Sequence, residues 1–160
     1  MGLEGTKAAV ITVSDGVASG HRDDRSGDAI QSLMEAQGAE VSRFVVPDER
    51  DEISLSIRNA SAEYSIIVTT GGTGFGPRDV TPEATMDVIE REAPGMAQLM
   101  IARGLESTPR AALSRLRVGS LSASLVLNLP GSPKGAVESF EAVIDLIPHA
   151  VQLLAGDTEH

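Results

Sequence analysis

The segment Thr69-Thr70-Gly71-Gly72-Thr73-Gly74 is the strongest chemical signal in the chain. Glycines lack Cβ atoms, so their backbone can approach an oxyanion closely and turn N–H donors toward it. The two standard phosphate loops do not match. A P-loop ends in Gly-Lys-Ser/Thr, and the only lysines, Lys7 and Lys134, follow no glycine. A dinucleotide fingerprint needs G-x-G-x-x-G, whereas here Gly72, Gly74 and Gly76 alternate and Pro77 follows. Taken alone, the loop is equally readable as a tight turn with no ligand.

Arg78-Asp79 shifts that balance. A carboxylate beside a phosphate cradle is costly unless a cation lies between them, and Mg²⁺ commonly takes one or two carboxylates plus phosphate oxygens. Asp79 and Asp48 are the candidate carboxylates. Either alone is more simply a favourable charge at a helix N-terminus; two flanking one glycine loop favour the metal. Asn128-Leu129-Pro130-Gly131-Ser132-Pro133 offers a second turn leading into a helix, ready for an anion or merely capped. Arg115 and Lys134 are available cations near these segments. His21, His149 and His160 are too scattered for a ligand pair, and no G-x-S-x-G supports a serine nucleophile.

These residues must be positioned by alternating strands and helices. Ala8 to Val13 is a continuous apolar run, as expected of a strand buried on both faces. A polar loop runs from Ser14 to Ser26. A helix follows over Asp28 to Gln37, stopped by Gly38. Val41 to Val46 reads as a strand. Asp48 to Glu63 reads as a helix with Ile53, Ile57, Ala60 and Tyr64 on one stripe. Ser65 to Thr70 is a third strand. Thr81-Pro82 starts a helix with Thr81 as cap, Pro94-Gly95 breaks it, and another runs from Met96 to Leu105. Arg117 to Ser120 and Ser124 to Leu129 read as strands. Ser132-Pro133 starts a last helix, burying Val137, Phe140, Val143, Ile144 and Ile147, which Pro148 kinks or restarts.

This order predicts an α/β fold with a parallel sheet and right-handed crossovers. Ligands of such sheets bind beyond the carboxyl ends of the strands, where strand order switches. That places Asp15, Asp48 and Asp79 on one rim.

Composition narrows the function. The chain has 160 residues, the length of one domain spanning 1–160, and 41% are hydrophobic. Lys and Arg number 13 against 23 Asp and Glu, a formal net charge of −10. That field disfavours nucleic acid and anionic membrane as partners. A small phosphorylated ligand stays open, because local N–H groups act against the net field. There is no Cys, which excludes disulfides and thiolate chemistry and fits a cytoplasmic location. No apolar run approaches the roughly 18 residues of a spanning helix.

The motifs together resemble the molybdopterin adenylyltransferases of molybdenum cofactor biosynthesis. The matching stretches are Thr12-Val13-Ser14-Asp15, Asp24-Arg25-Ser26-Gly27, Pro47-Asp48, Thr69 to Gly74, Arg78 to Glu83, Pro94-Gly95, Leu113-Ser114-Arg115 and Asn128 to Pro133. They run in order over nearly the whole chain. The resemblance implies a three-layer α/β/α sandwich with a mostly parallel sheet, assembled as a homotrimer or hexamer. It implies that molybdopterin and Mg-ATP give adenylylated molybdopterin and pyrophosphate, with a molybdenum insertase as a further partner. Carried over by motif, Asp48 and Asp79 are the essential carboxylates and Mg²⁺ ligands. Ser14, Asp15, Thr70, Gly71, Gly72, Thr73, Gly74, Ser114, Arg115, Pro130, Gly131 and Ser132 hold substrate. Two alternatives stand beside this reading: a silent molybdopterin-binding or scaffolding module, and a plain nucleotide-binding module that takes no pterin.

Overall fold

Strands and helices alternate along the chain as the apolar runs predict. A computed structural model describes residues 2–159; Met1 and His160 lie outside it. The order is β1 (Lys7–Val13), α1 (Asp15–Ala18), α2 (Arg25–Ala36), β2 (Glu40–Val46), α3 (Arg50–Ala60), β3 (Ile66–Thr70) and α4 (Thr81–Met86). Then come β4 (Arg91–Glu92), α5 (Pro94–Ser107), β5 (Val118–Leu121), β6 (Ser124–Leu129), α6 (Pro133–Val143) and α7 (Ile147–Leu154). Short 3₁₀ turns cover Pro109–Leu113 and Ile144–Leu146.

Six strands form one sheet in the order β2-β1-β3-β6-β5-β4. The first four are mutually parallel. At one end β5 runs antiparallel to β6, and β4 antiparallel to β5, which returns β4 to the direction of the first four. Successive side chains of a strand point to opposite faces, and the core divides accordingly. Ala8 and Val10 join Ile30, Met34, Met100, Phe140 and Ile147 on the face covered by α2, α5, α6 and α7. Ala9, Ile11 and Val13 join Ile53, Ile57 and Ala84 on the face covered by α3 and α4. The molecule is therefore an α/β/α sandwich.

From β1 the chain goes outward to β2, then crosses back to β3 on the other side of β1. The strand order switches there, so a crevice opens beyond the ends of β1 and β3. Ser14 and Gly71 are the first residues past those ends.

Several helix boundaries differ from the sequence expectation. α2 begins at Arg25, because the Asp24 carboxylate caps it by accepting the Gly27 N–H at 2.9 Å. The polar stretch before it contains the single turn α1, capped by Ser14. α3 begins at Arg50, since the Asp48 carboxylate is bonded elsewhere, and it ends at Ala60, leaving Tyr64 beyond it, edge-on to Phe44. Thr81 is not a cap. Val80 holds that position, and the buried Thr81 hydroxyl instead donates to the Gly71 carbonyl at 2.9 Å. Pro94-Gly95 starts α5 rather than only ending the helix before it, as proline's fixed φ allows at N1. In α6, Val137 is only partly buried, and so is Ile144 just past its end, while Ala136 and Ser139 are fully enclosed.

Candidate functional site

Two glycines shape the rim. Gly71 and Gly72 have φ of +97° and +70°, a region side chains disfavour. A Cβ on Gly71 would collide with the Val13 carbonyl at the end of β1. The glycine loop therefore lies directly against β1. Its outer side is held by Thr81, whose N–H donates to the Gly72 carbonyl at 3.1 Å. The Gly71 N–H is used up by the Leu129 carbonyl. The amides of Gly72, Thr73 and Gly74 make no hydrogen bond to another described residue, so these three are the donors available to an anion.

Asp15 and Asp48 bond reciprocally across the ends of β1 and β2. The Asp48 carboxylate accepts the Asp15 N–H at 2.9 Å, and the Asp15 carboxylate accepts the Asp48 N–H at 3.0 Å. Arg78 donates to both Asp15 oxygens at 3.1 Å and to Glu49 at 2.8 Å. The Arg78 guanidinium, helped by the Asp48 amide, holds the Asp15 carboxyl below the usual aspartate range. Asp48 moves the other way. Burial pushes it up, and the Asp15 and Asp79 charges add to that, opposed by the Asp15 amide and Arg78. Asp79 accepts the Gly76 N–H through Oδ2 at 2.8 Å. The remaining oxygens, Oδ1 of Asp48 and Oδ1 of Asp79, accept no hydrogen bond among the described residues.

That arrangement bears on a metal. Among the described residues no group of three or more His, Asp or Glu is placed to hold an ion by itself. Two mutually repelling carboxylates with free oxygens, beside unbonded amides, instead suit a cation shared with substrate phosphates. The donor set fits Mg²⁺, which Asp48 and Asp79 could hold together with substrate phosphates.

The expected site residues separate into two cavities. The larger, of about 610 Å³, is lined by Ser14, Asp48, Thr70, Gly71, Gly72, Asp79 and Gly131, and by residues 21–26. The smaller, of about 250 Å³, takes Thr73, Gly74, Ser114, Pro130 and Ser132 on a wall shared with apolar Met100, Ile101 and Leu113 and with polar Thr108, Arg110 and Glu138. The Ser114 hydroxyl is buried without a partner. The two turns that divide the cavities touch, since a Cβ on Gly131 would lie 3.3 Å from the Gly71 Cα. Asn128 fixes them from beneath. Its buried amide donates to Thr69 at 3.0 Å and to Thr85 at 2.9 Å, and its carbonyl accepts the Arg117 N–H.

Asp15 and Arg115 line neither cavity. Asp15 is engaged with Arg78 and the Asp48 amide. Arg115 is not an available cation: it donates to the carbonyls of Gly74 and Asp79, each at 2.8 Å, and to both Glu83 oxygens. Its guanidinium sits 5.3 Å from the Phe75 ring centroid. Arg115 thus holds residues 74–79 in shape. Lys134 is exposed, lies 3.8 Å from Glu138 and lines neither cavity.

Sequence reasoning passed over Arg22 and Arg25, which line the larger cavity, and Glu83, which orients Arg115. Arg25 and Glu83 sit inside recognisable motifs, but which way their side chains point depends on the fold.

Residues 9–149 match the family described as a probable molybdopterin binding domain. The molybdenum cofactor synthesis protein cinnamon of Drosophila melanogaster is 40% identical over 159 residues, 97% of this chain. The chain spans about a quarter of that protein's length, 26%. A molybdopterin adenylyltransferase of Helicobacter pylori strain J99 is 41% identical, with 92% of this chain and 87% of that protein covered. The crystal structure of the molybdopterin biosynthesis enzyme MoaB of Thermus thermophilus superposes with a TM-score of 0.88 at 45% identity. The match covers 94% of this chain and 97% of that one.

Proposed function

The chain belongs to the family of probable molybdopterin binding domains, and from that premise we propose that it adenylylates molybdopterin with Mg-ATP, releasing pyrophosphate. The observation that carries this reading is the meeting of Asp48 and Asp79, each with an unbonded oxygen, on the cavity that the glycine loop borders. The Helicobacter relative's name supports it.

The attacking group, a phosphate on the pterin, is already anionic and needs no base. The protein's contribution is therefore positioning and charge stabilisation. The amides of Gly72, Thr73 and Gly74 receive phosphate oxygens. Ser14 accepts the Val17 N–H at 3.2 Å, so its hydroxyl proton is free to donate into the cavity. Mg²⁺ bound by Asp48 and Asp79 would neutralise phosphate charge as the leaving group departs. Arg78 and the Asp15–Asp48 pair hold Asp48 in place, and Arg115 holds the backbone of Asp79. The smaller, partly apolar cavity offers a slot for one of the two flat ring systems.

A second reading is a silent pterin-binding or scaffolding module. It is kept because the Thermus structure, similar at 45% identity, is named a molybdopterin biosynthesis enzyme and not an adenylyltransferase, so the likeness to it supports a molybdopterin role without specifying this reaction. A steady-state pyrophosphate assay separates the two. Release that requires both molybdopterin and Mg-ATP supports adenylylation. Pterin binding without release supports the scaffold, and ATP hydrolysis independent of pterin points to a generic nucleotide enzyme.

The assembly proposed with this reading is a homotrimer or hexamer acting in the cytoplasm and passing its product to a molybdenum insertase. On α5, Met100 is core, while Leu99 and Leu105 remain exposed and suit a subunit contact. Light scattering that gives a monomer at micromolar concentration refutes it.

A further inference from the structure

The larger cavity has a carboxylate part and an arginine part. Most of the chain's 13 Lys and Arg residues are ion-paired, including Arg78 and Arg115 of the recognisable motifs. Arg22 and Arg25 are the two arginines that line this cavity, and neither has an ion pair among the described residues. Their acidic neighbour Asp24 is already engaged by Thr12, Arg43 and the Gly27 amide. Asp23 is exposed and pairs with neither arginine. Nor does Arg22 hang loose. Its N–H donates to the Gly16 carbonyl at 3.1 Å, and its stem lies where a Cβ on Gly16 would come within 3.3 Å of it. In a chain of net charge −10, two unpaired guanidiniums on one cavity wall are poised for a multiply charged anion.

We propose that Arg22 and Arg25 form the subsite for the pyrophosphate end of the nucleotide, receiving the β- and γ-phosphates that depart. The inference rests on the adenylylation reading above and names the part of the substrate these residues take. In the step itself, an oxygen of the pterin phosphate forms a bond to the α-phosphorus of ATP. The bond from that phosphorus to the bridging oxygen breaks. Its electron pair leaves with pyrophosphate, and the negative charge grows on the group the arginines hold. No proton, oxidant or further reactant is needed. AMP lacks both departing phosphates, so its binding is indifferent to Arg22 and Arg25.

Calorimetric titration of the intact chain with Mg-ATP, Mg-pyrophosphate and AMP tests this. The variants are Arg22→Ala, Arg25→Ala, the double Ala variant, and the double Lys variant, which keeps the charge. Both side chains are exposed, so melting temperatures stay near that of the unaltered chain. A charge-assisted bond to phosphate is worth roughly tenfold or more in affinity. The double Ala variant is expected to lose at least about tenfold for Mg-ATP and Mg-pyrophosphate, a loss that grows smaller with added salt. Its affinity for AMP should change by less than about twofold, and Lys at both positions should restore part of the loss. A double Ala variant that binds Mg-pyrophosphate as tightly as the unaltered chain overturns the inference, as does an equal loss for AMP. If the unaltered chain binds neither Mg-ATP nor Mg-pyrophosphate, the adenylylation reading itself fails and takes this inference with it.

Discussion

Replacing Arg115 with Met distinguishes a side chain that braces the loop from one that contacts substrate. Met preserves much of the aliphatic stem and removes every donor. Two hydrogen bonds to backbone carbonyls, at Gly74 and Asp79, disappear, worth ~1 kcal/mol each. The Glu83 pair is about a third exposed on both sides, so screening limits it to at most ~1 kcal/mol. The contact with the exposed Phe75 ring contributes ~0.5 kcal/mol. Water recovers part of this, leaving an expected loss of about 2–3 kcal/mol, or ~4–12 °C in Tm for a chain of this length. Turnover should fall as well, because Asp79 loses the contact that fixes its backbone; a misplacement near 1 Å costs on the order of 10²-fold. The KM for each substrate should change little. Thermal melting and steady-state pyrophosphate release on one purified variant provide both numbers. An Arg115→Met protein with unchanged Tm and a KM raised tenfold or more would put the guanidinium on the substrate and refute the bracing argument.

Asp79→Asn should reduce turnover by roughly 10²–10⁴-fold while Tm stays within a few degrees, because Asn can still accept the Gly76 N–H; near-normal turnover removes Asp79 from the metal site. Gly71→Ala should lower stability by more than ~1 kcal/mol, since it places a Cβ at positive φ against the Val13 carbonyl; urea denaturation measures this, and an unchanged midpoint contradicts the close approach. The Asp15 carboxyl has its pKa lowered by Arg78 and the Asp48 amide, so its stabilising contribution is complete above the ordinary aspartate range and is lost as pH falls through its depressed folded value. Asp15→Asn should therefore flatten the loss of stability as pH falls below the ordinary aspartate range, and an acid limb as steep as the unaltered chain's would refute the pairing.

Much of the architecture was readable because strand burial is written in unbroken apolar runs. Ala8 to Val13 reads as a strand buried on both faces, and with the strands ending at Val46 and Thr70 the sheet rule put Asp15, Asp48 and Asp79 on one rim. Helix starts were less readable, because capping is decided by competition. The Thr81 hydroxyl had a turn to cap and a Gly71 carbonyl to satisfy, and the buried carbonyl won. Within the site, residue type revealed charge but not engagement. Arg115 and Arg22 look alike in a sequence, yet one is enclosed by a carboxylate and two carbonyls and the other faces an open cavity. Ionic partners are distant in the chain, as with Arg115 and Glu83, and no local pattern encodes them.

The interior position of β6 has a consequence for how the protein is made. Ile66–Thr70 finds its second parallel neighbour only in Leu125–Leu129, and the Gly71 amide is satisfied only by the Leu129 carbonyl. During synthesis the first three strands can pair among themselves, but β3 keeps an unpaired edge until residue 129 has emerged from the ribosome. The glycine loop has no fixed wall before then, and the Ser26 hydroxyl has no Gly131 carbonyl to bond. Long-range parallel pairing of this kind is slow, and an open strand edge invites association with other chains. The nascent protein should therefore be most vulnerable to aggregation late in translation, and a pulse of protease at that stage would find the future site among the last parts to become protected.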